Sequence, residues 1–152
     1  MFFENFIKED TRLKKGVEIR IKLTERSFVE NEQVSRWSDR SLLKSLKNPC
    51  EKEYRIVMRN PEVTFLGANN QPDFAKVTLI VIPGEKIIEL KSLKFYFFSF
   101  RDKVISYERF VNVLFDDVMA VYAPVRLKVI ARFRPRGGIS STLVIDSTHR
   151  QS

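Results

Sequence analysis

Asp73 stands between Pro72 and Phe74, two residues that shed water and bring no side-chain donor. A carboxyl group desolvated in that way can keep a proton near neutral pH and serve as a general acid. The plainer reading of a loop carboxylate is an Asx-type turn. Lys91, Ser92 and Lys94 cluster where a helix is expected to begin; two ammonium groups and a hydroxyl there suit phosphate, or else form a solvated face. Arg126, Lys128, Arg132 and Arg134 alternate with apolar residues. That strip is either a basic sheet wall or a surface that contacts RNA phosphates without reading bases. Most other catalytic chemistry is excluded by what the chain lacks. His149 is the sole histidine and Cys50 the sole cysteine, so no metal site is expected and neither a Ser-His-Asp nor a Cys-His pair is easily assembled. There is no GxxxxGK[ST] or GxGxxG string, and Gly137-Gly138 reads as a hairpin turn.

The elements that must hold these residues follow from periodicity. Residues 17–23 alternate apolar and charged side chains, the mark of a half-buried strand. Residues 25–53 are charged and aperiodic apart from a short helix expected over 41–46. A strand is expected over 54–59, then a loop over 60–72 rich in Pro, Gly and Asn. The β-branched run 76–82, the Pro83-Gly84 turn and the return over 86–90 read as a hairpin. Ser92 is the expected cap of a helix over 93–101, whose Phe95, Phe98 and Phe100 exceed one buried stripe. The clearest helix covers 105–123 and stops at Pro124. Strands over 125–133 and 139–145 flank the glycine turn, and the tail is expected to fray. The sum is an antiparallel α+β architecture rather than a doubly wound parallel sheet.

Length and composition agree with one folded domain: 152 residues, 43% hydrophobic, with thirteen Phe whose excess reads as core plus subunit contact. The net charge of +8 is spread evenly along the chain, so no basic tail stands apart. A single cysteine precludes an intrachain disulfide and suits a reducing compartment. Charges interrupt the first apolar run, so neither a signal peptide nor a membrane span is expected, and a cytoplasmic protein is the default.

Five strings in order narrow the reading: QPDFA (71–75), IELKSLKFY (88–96), FSFR (98–101), YERFVNVL (107–114) and FRPRGGIS (133–140). Together they resemble the unimodular QueF family of NADPH-dependent 7-cyano-7-deazaguanine reductases in the queuosine pathway of tRNA modification, an archaeal relative of which forms an amidine in the archaeosine pathway. The resemblance covers roughly residues 54–140. It implies a tunnelling fold, an antiparallel sheet with two helices whose copies join into an oligomeric barrel. On that basis residues 51–152 are expected to form the tunnelling-fold domain and residues 1–50 an N-terminal extension. It implies a purine-type base as ligand and a homo-oligomer as the assembly. Asp73 matches the family's general acid. Glu108 matches its ring-binding glutamate, since a carboxylate can accept two hydrogen bonds from a guanine-type edge, although most such glutamates are exposed helix residues. Glu89 matches a second substrate carboxylate. Lys91, Ser92, Lys94 and Tyr96 match the segment associated with NADPH, and Arg136, Gly137 and Gly138 match the family's RGG turn.

One departure decides what to expect of activity. In the resembled family a cysteine thiolate adds to the nitrile carbon, from a loop reading like FTSLCP ahead of QPDFA. Here that loop reads VTFLGANN (63–70), so Leu66 or Gly67 holds the nucleophile's place and neither can form the covalent thioimide. Binding of a deazaguanine-type base is therefore expected, with reduction absent or very slow; the alternative is an active reductase or amidine-forming relative that uses another nucleophile.

Overall fold

Along β3 (Pro72–Ile82) every second side chain, Asp73, Ala75, Val77, Leu79 and Val81, is buried, because a strand sends successive residues to opposite faces. The same rule buries Leu127, Val129, Ala131 and Phe133 along β5 (Arg126–Arg136). In the computed structural model, which describes residues 36–149, these strands form the middle of an antiparallel sheet. Its order is β2-β3-β5-β6, with β2 (Ile56–Leu66) and β6 (Ile139–Asp146) at its edges. The strand expected over 17–23 and the end of the tail lie outside the described residues.

Two helices supply the rest of one shared core. Helix α1 (Leu90–Phe98) buries Leu93, Tyr96 and Phe97. Helix α2 (Tyr107–Tyr122) buries Phe110, Val111, Leu114, Phe115 and Val118 at helical spacing. The Ser106 hydroxyl caps α2 by accepting from the Arg109 N–H at 3.2 Å. The helix ends at Ala123 in a left-handed conformation, φ 43°, just before Pro124. Rings close the core: Phe65 stacks on Phe110 at 5.1 Å, and Phe100 meets Phe110 edge-on at 4.9 Å. Phe95 and Phe98 stay 49% and 40% exposed, with the Arg101 guanidinium 4.1 Å from the Phe98 ring centre.

Four expected features differ. Strand β2 does not stop at 59 but continues through Pro61 to Leu66, with a bulge between Asn60 and Val63. An edge strand tolerates proline because its missing N–H faces no partner, and a bulge absorbs the irregularity. Residues 76–82 do not pair with 86–90. Strand β3 pairs with β5 from Ala75↔Phe133 to Ile82↔Arg126, while β4 (Lys86–Ile88) pairs with β1 (Ser45–Lys47) in a separate two-stranded sheet. The long ladder outcompetes the short one, and Pro83 cannot donate to a tight hairpin. The helix expected over 41–46 is a three-residue 3-10 turn, Arg40–Leu42, capped by Asp39, followed by β1. Finally, Glu89 rather than Ser92 caps α1, its Oε2 accepting from the Ser92 N–H at 2.7 Å.

Residues 36–50 pack onto the same core. Leu43 is 6% exposed, and the Ser38 hydroxyl and Arg40 Nε donate to buried Asp117 at 2.6 and 2.8 Å. No helix among the described residues is long and apolar enough to cross a membrane.

Candidate functional site

The β2–β3 turn brings the site together. Gly67 donates its N–H to Gln71 O at 2.8 Å, and Asn69 and Asn70 take positive φ values of 59° and 57°, a conformation asparagine tolerates. Leu66 then clasps the segment before α2: its N–H donates to Lys103 O, and its carbonyl accepts from the Ile105 N–H, both at 2.9 Å. That clasp sets the start of α2 beside the turn. The β5–β6 turn, with Gly137 and Gly138 at φ 56° and 79°, delivers Arg136 from the other side.

The result is an open cleft of about 720 Å³ bordered by Gly67, Asp73, Tyr107, Glu108 and Arg136. Asp73 is 5% exposed. Its Oδ1 accepts from the Tyr107 hydroxyl at 2.9 Å and from Arg136 Nε at 2.8 Å. Tyr107 lies flat on Phe133, ring centres 3.9 Å apart. Burial, and then the neighbouring Asp73, push its phenol above the usual range, so at neutral pH it is a proton-bearing donor. Glu108 is exposed in the first turn of α2, where a negative charge is favoured. Its carboxylate has no partner among the described residues; only its backbone carbonyl is engaged, by Asn112 Nδ2 at 2.8 Å. At the rim the guanidinium groups of Arg36 and Arg109 lie 4.0 and 5.5 Å from the Trp37 ring centre.

Four of the residues singled out in the sequence thus meet in one cleft: Gly67, Asp73, Glu108 and Arg136. Of the two candidates for the nucleophile's position, Gly67 borders it. The others go elsewhere. Glu89 caps α1. Ser92 is 4% exposed, its hydroxyl donating to Glu89 O at 2.7 Å and accepting from the Lys44 N–H at 2.9 Å. Tyr96 is fully buried and donates to Asp117 at 2.7 Å. Both hydroxyls are thus engaged inside the protomer. Arg136 is likewise committed to Asp73, which leaves Lys91, Lys94 and the exposed glycine turn. Lys91 and Lys94 are exposed on α1. The basic strip of β5 is also half neutralised: Arg126 pairs with Asp146 at 3.0 Å and Arg134 with Glu62. Among the described residues no group of His, Cys, Asp and Glu is arranged to hold a metal.

Sequence reasoning passed over Tyr107, Arg36 and Trp37. Tyr107 stood within a quoted string, one residue before Glu108, and its stack on Phe133 could not be read from spacing. Arg36 and Trp37 fall in the aperiodic segment, where periodicity carries no signal.

Comparison with known proteins supplies the remaining context. A family described as QueF-like protein matches residues 72–152. An NADPH-dependent 7-cyano-7-deazaguanine reductase of Nitrosomonas europaea is 41% identical over 111 residues, 72% of this chain and 78% of the relative. A reductase of the same name from Chlorobium chlorochromatii is 38% identical over 109 residues, 70% of this chain and 94% of the relative. Among solved structures, the apo form of an archaeosine synthase described as QueF-Like superposes with a TM-score of 0.55 at 20% identity. It covers 64% of this chain and 95% of that one, a likeness of fold.

Proposed function

This chain belongs to the QueF-like family, and from that premise we propose that its cleft binds a 7-deazaguanine or related purine-type base, in queuosine- or archaeosine-type tRNA modification, without covalent reduction. The observation that carries this reading is the Glu108 carboxylate, unpartnered among the described residues, in a cleft it shares with Asp73 and with the thiol-less Gly67. A carboxylate so placed can accept both the ring N–H and the exocyclic amine of a guanine-type edge. Gly67 marks where the substituent at carbon 7 would point, because the residue there is the one that meets the nitrile in the resembled reductases.

Calorimetry with 7-deazaguanine and guanine is the direct test. Glu108→Ala should weaken binding by about tenfold to a hundredfold, the loss of about 1–3 kcal/mol expected when two donors are left without an acceptor. Glu108→Gln keeps one acceptor oxygen but turns an amine toward a donor edge, so a smaller loss is expected. A wild-type protein that binds no guanine-like base at millimolar concentration would overturn the assignment.

The assembly we propose is a homo-oligomeric barrel. Among the described residues, strands β2 and β6 leave the outer edges of the sheet unpaired, and such edges invite pairing with another chain. Glu89, Lys91 and Lys94 do not border the cleft of their own protomer, so they would meet a cleft across a subunit boundary. Light scattering at micromolar concentration should report a mass well above the 17.9 kDa of the chain; a clean monomer would contradict it.

A further inference from the structure

Gly67 has no side chain, but the space beside its Cα is filled. A Cβ there would collide with Asp73 Oδ2 and come within 3.4 Å of Arg136 Nη2. The carboxylate is fixed in this place by its other oxygen, which takes both the Tyr107 hydroxyl and Arg136 Nε. Oδ2 itself receives no hydrogen bond from the described residues. The remaining Arg136 nitrogens face Gln71 Oε1 at 3.5 Å and Pro72 O at 3.4 Å, and Nη2 stands farther from the Gly67 Cβ position than Asp73 Oδ2 does. The polar atom nearest the Gly67 Cβ position is therefore a carboxylate oxygen without a hydrogen bond from the described residues.

We propose that Asp73 makes the cleft select a base whose carbon-7 substituent donates hydrogen bonds, an aminomethyl or amidine group, over one bearing a nitrile. The inference rests on the reading that a deazaguanine ring sits on Glu108 with carbon 7 toward Gly67. A nitrile nitrogen only accepts, and setting it against Oδ2 opposes two acceptors in a site where Asp73 is nearly dry. An ammonium or amidinium group donates, and a charge-assisted bond to a carboxylate is among the stronger hydrogen bonds. A site built to pair a donor rejects the analogue that lacks it far more strongly than a site of shape alone.

The test compares 7-aminomethyl-7-deazaguanine, 7-cyano-7-deazaguanine and unsubstituted 7-deazaguanine by calorimetry on the full chain. The wild type should bind the aminomethyl base roughly tenfold or more tighter than the cyano base. In Asp73→Asn, which keeps the side-chain shape, the two affinities should converge to within about threefold. Gly67→Ala should give the same convergence, because its Cβ displaces Oδ2, while unsubstituted 7-deazaguanine continues to bind. A cyano base bound as tightly as the aminomethyl base by the wild type, or a preference that survives Asp73→Asn, overturns the proposal. If unsubstituted 7-deazaguanine binds and substituents are not discriminated, only this inference fails. If none of the three binds, the base-binding reading fails with it.

Discussion

Mixed with NADPH and 7-cyano-7-deazaguanine, the protein is expected to form no aminomethyl product above background. The rate should lie at least roughly three powers of ten below that of a reductase with its thiolate, since removing a covalent nucleophile commonly costs that much or more. Three features of the chain point the same way. The turn residue bordering the cleft is Gly67, which has no thiol, and a Cβ there would collide with Asp73. Asp73 is held in that space by two donors on Oδ1. Cys50 belongs to the other end of the sheet: neighbouring Asn48 bonds to Gly84 and Glu85, beyond the far end of β3. From Asp73 to Ile82 the strand runs about 30 Å at roughly 3.3 Å per residue. Absorbance loss of NADPH with products identified by mass is the measurement. Turnover that survives Cys50→Ala would demand a nucleophile not recognised here, and turnover abolished by it would bring that thiol into the cleft from another copy. Gly67→Cys alone is not expected to restore activity, because its Cβ and the Asp73 carboxylate compete for one space.

Those features were legible in the sequence to different degrees. Alternation located β5, a β-branched run located most of β3, the glycine turn pointed to β6, and helical spacing located α2. The cleft's Asp73, Glu108 and Arg136 came from the family resemblance; from residue types alone Glu108 is one more helix-surface glutamate. Pairing was harder. The 86–90 run was read as the partner of 76–82 because local turn chemistry is visible in sequence, whereas competition from β5, more than forty positions later, is not. The string IELKSLKFY shows a second limit. Its polar residues read as a ligand surface, yet Glu89, Ser92 and Tyr96 build the protomer by capping α1, tying it to Lys44 and reaching Asp117. Side-chain direction around one helix separates a buried tyrosine from an exposed lysine two positions away, and the string alone does not fix it.

Asp117→Ala should be the most destabilising single change near these helices, by about 2–4 kcal/mol, since it takes the acceptor from buried hydroxyls and from a partly exposed arginine. Asp117 is 3% exposed and joins three parts of the fold. Its Oδ2 accepts from Ser38 at 2.6 Å and from Tyr96 at 2.7 Å, and its Oδ1 accepts from Arg40 Nε at 2.8 Å. Truncation removes the acceptor of the fully buried Tyr96 phenol, whose ionisation is already strongly opposed, first by burial and then by Asp117. The phenol therefore cannot escape the loss by giving up its proton. Arg40 keeps some access to water, with its side chain 32% exposed, so it contributes the smaller part. Thermal and urea unfolding at one fixed protein concentration should show the loss, with the midpoint falling by roughly 10 °C or more. Tyr96→Phe should cost about 1–2 kcal/mol, since Asp117 keeps its other donors. In the Asp117→Ala background Tyr96→Phe should cost clearly less, because the hydroxyl then keeps only its bond with Ser38. That non-additivity isolates the bond itself. Equal costs for Tyr96→Phe in both backgrounds would show that the phenol's contribution is packing alone and that Asp117 does not tie α1 to α2.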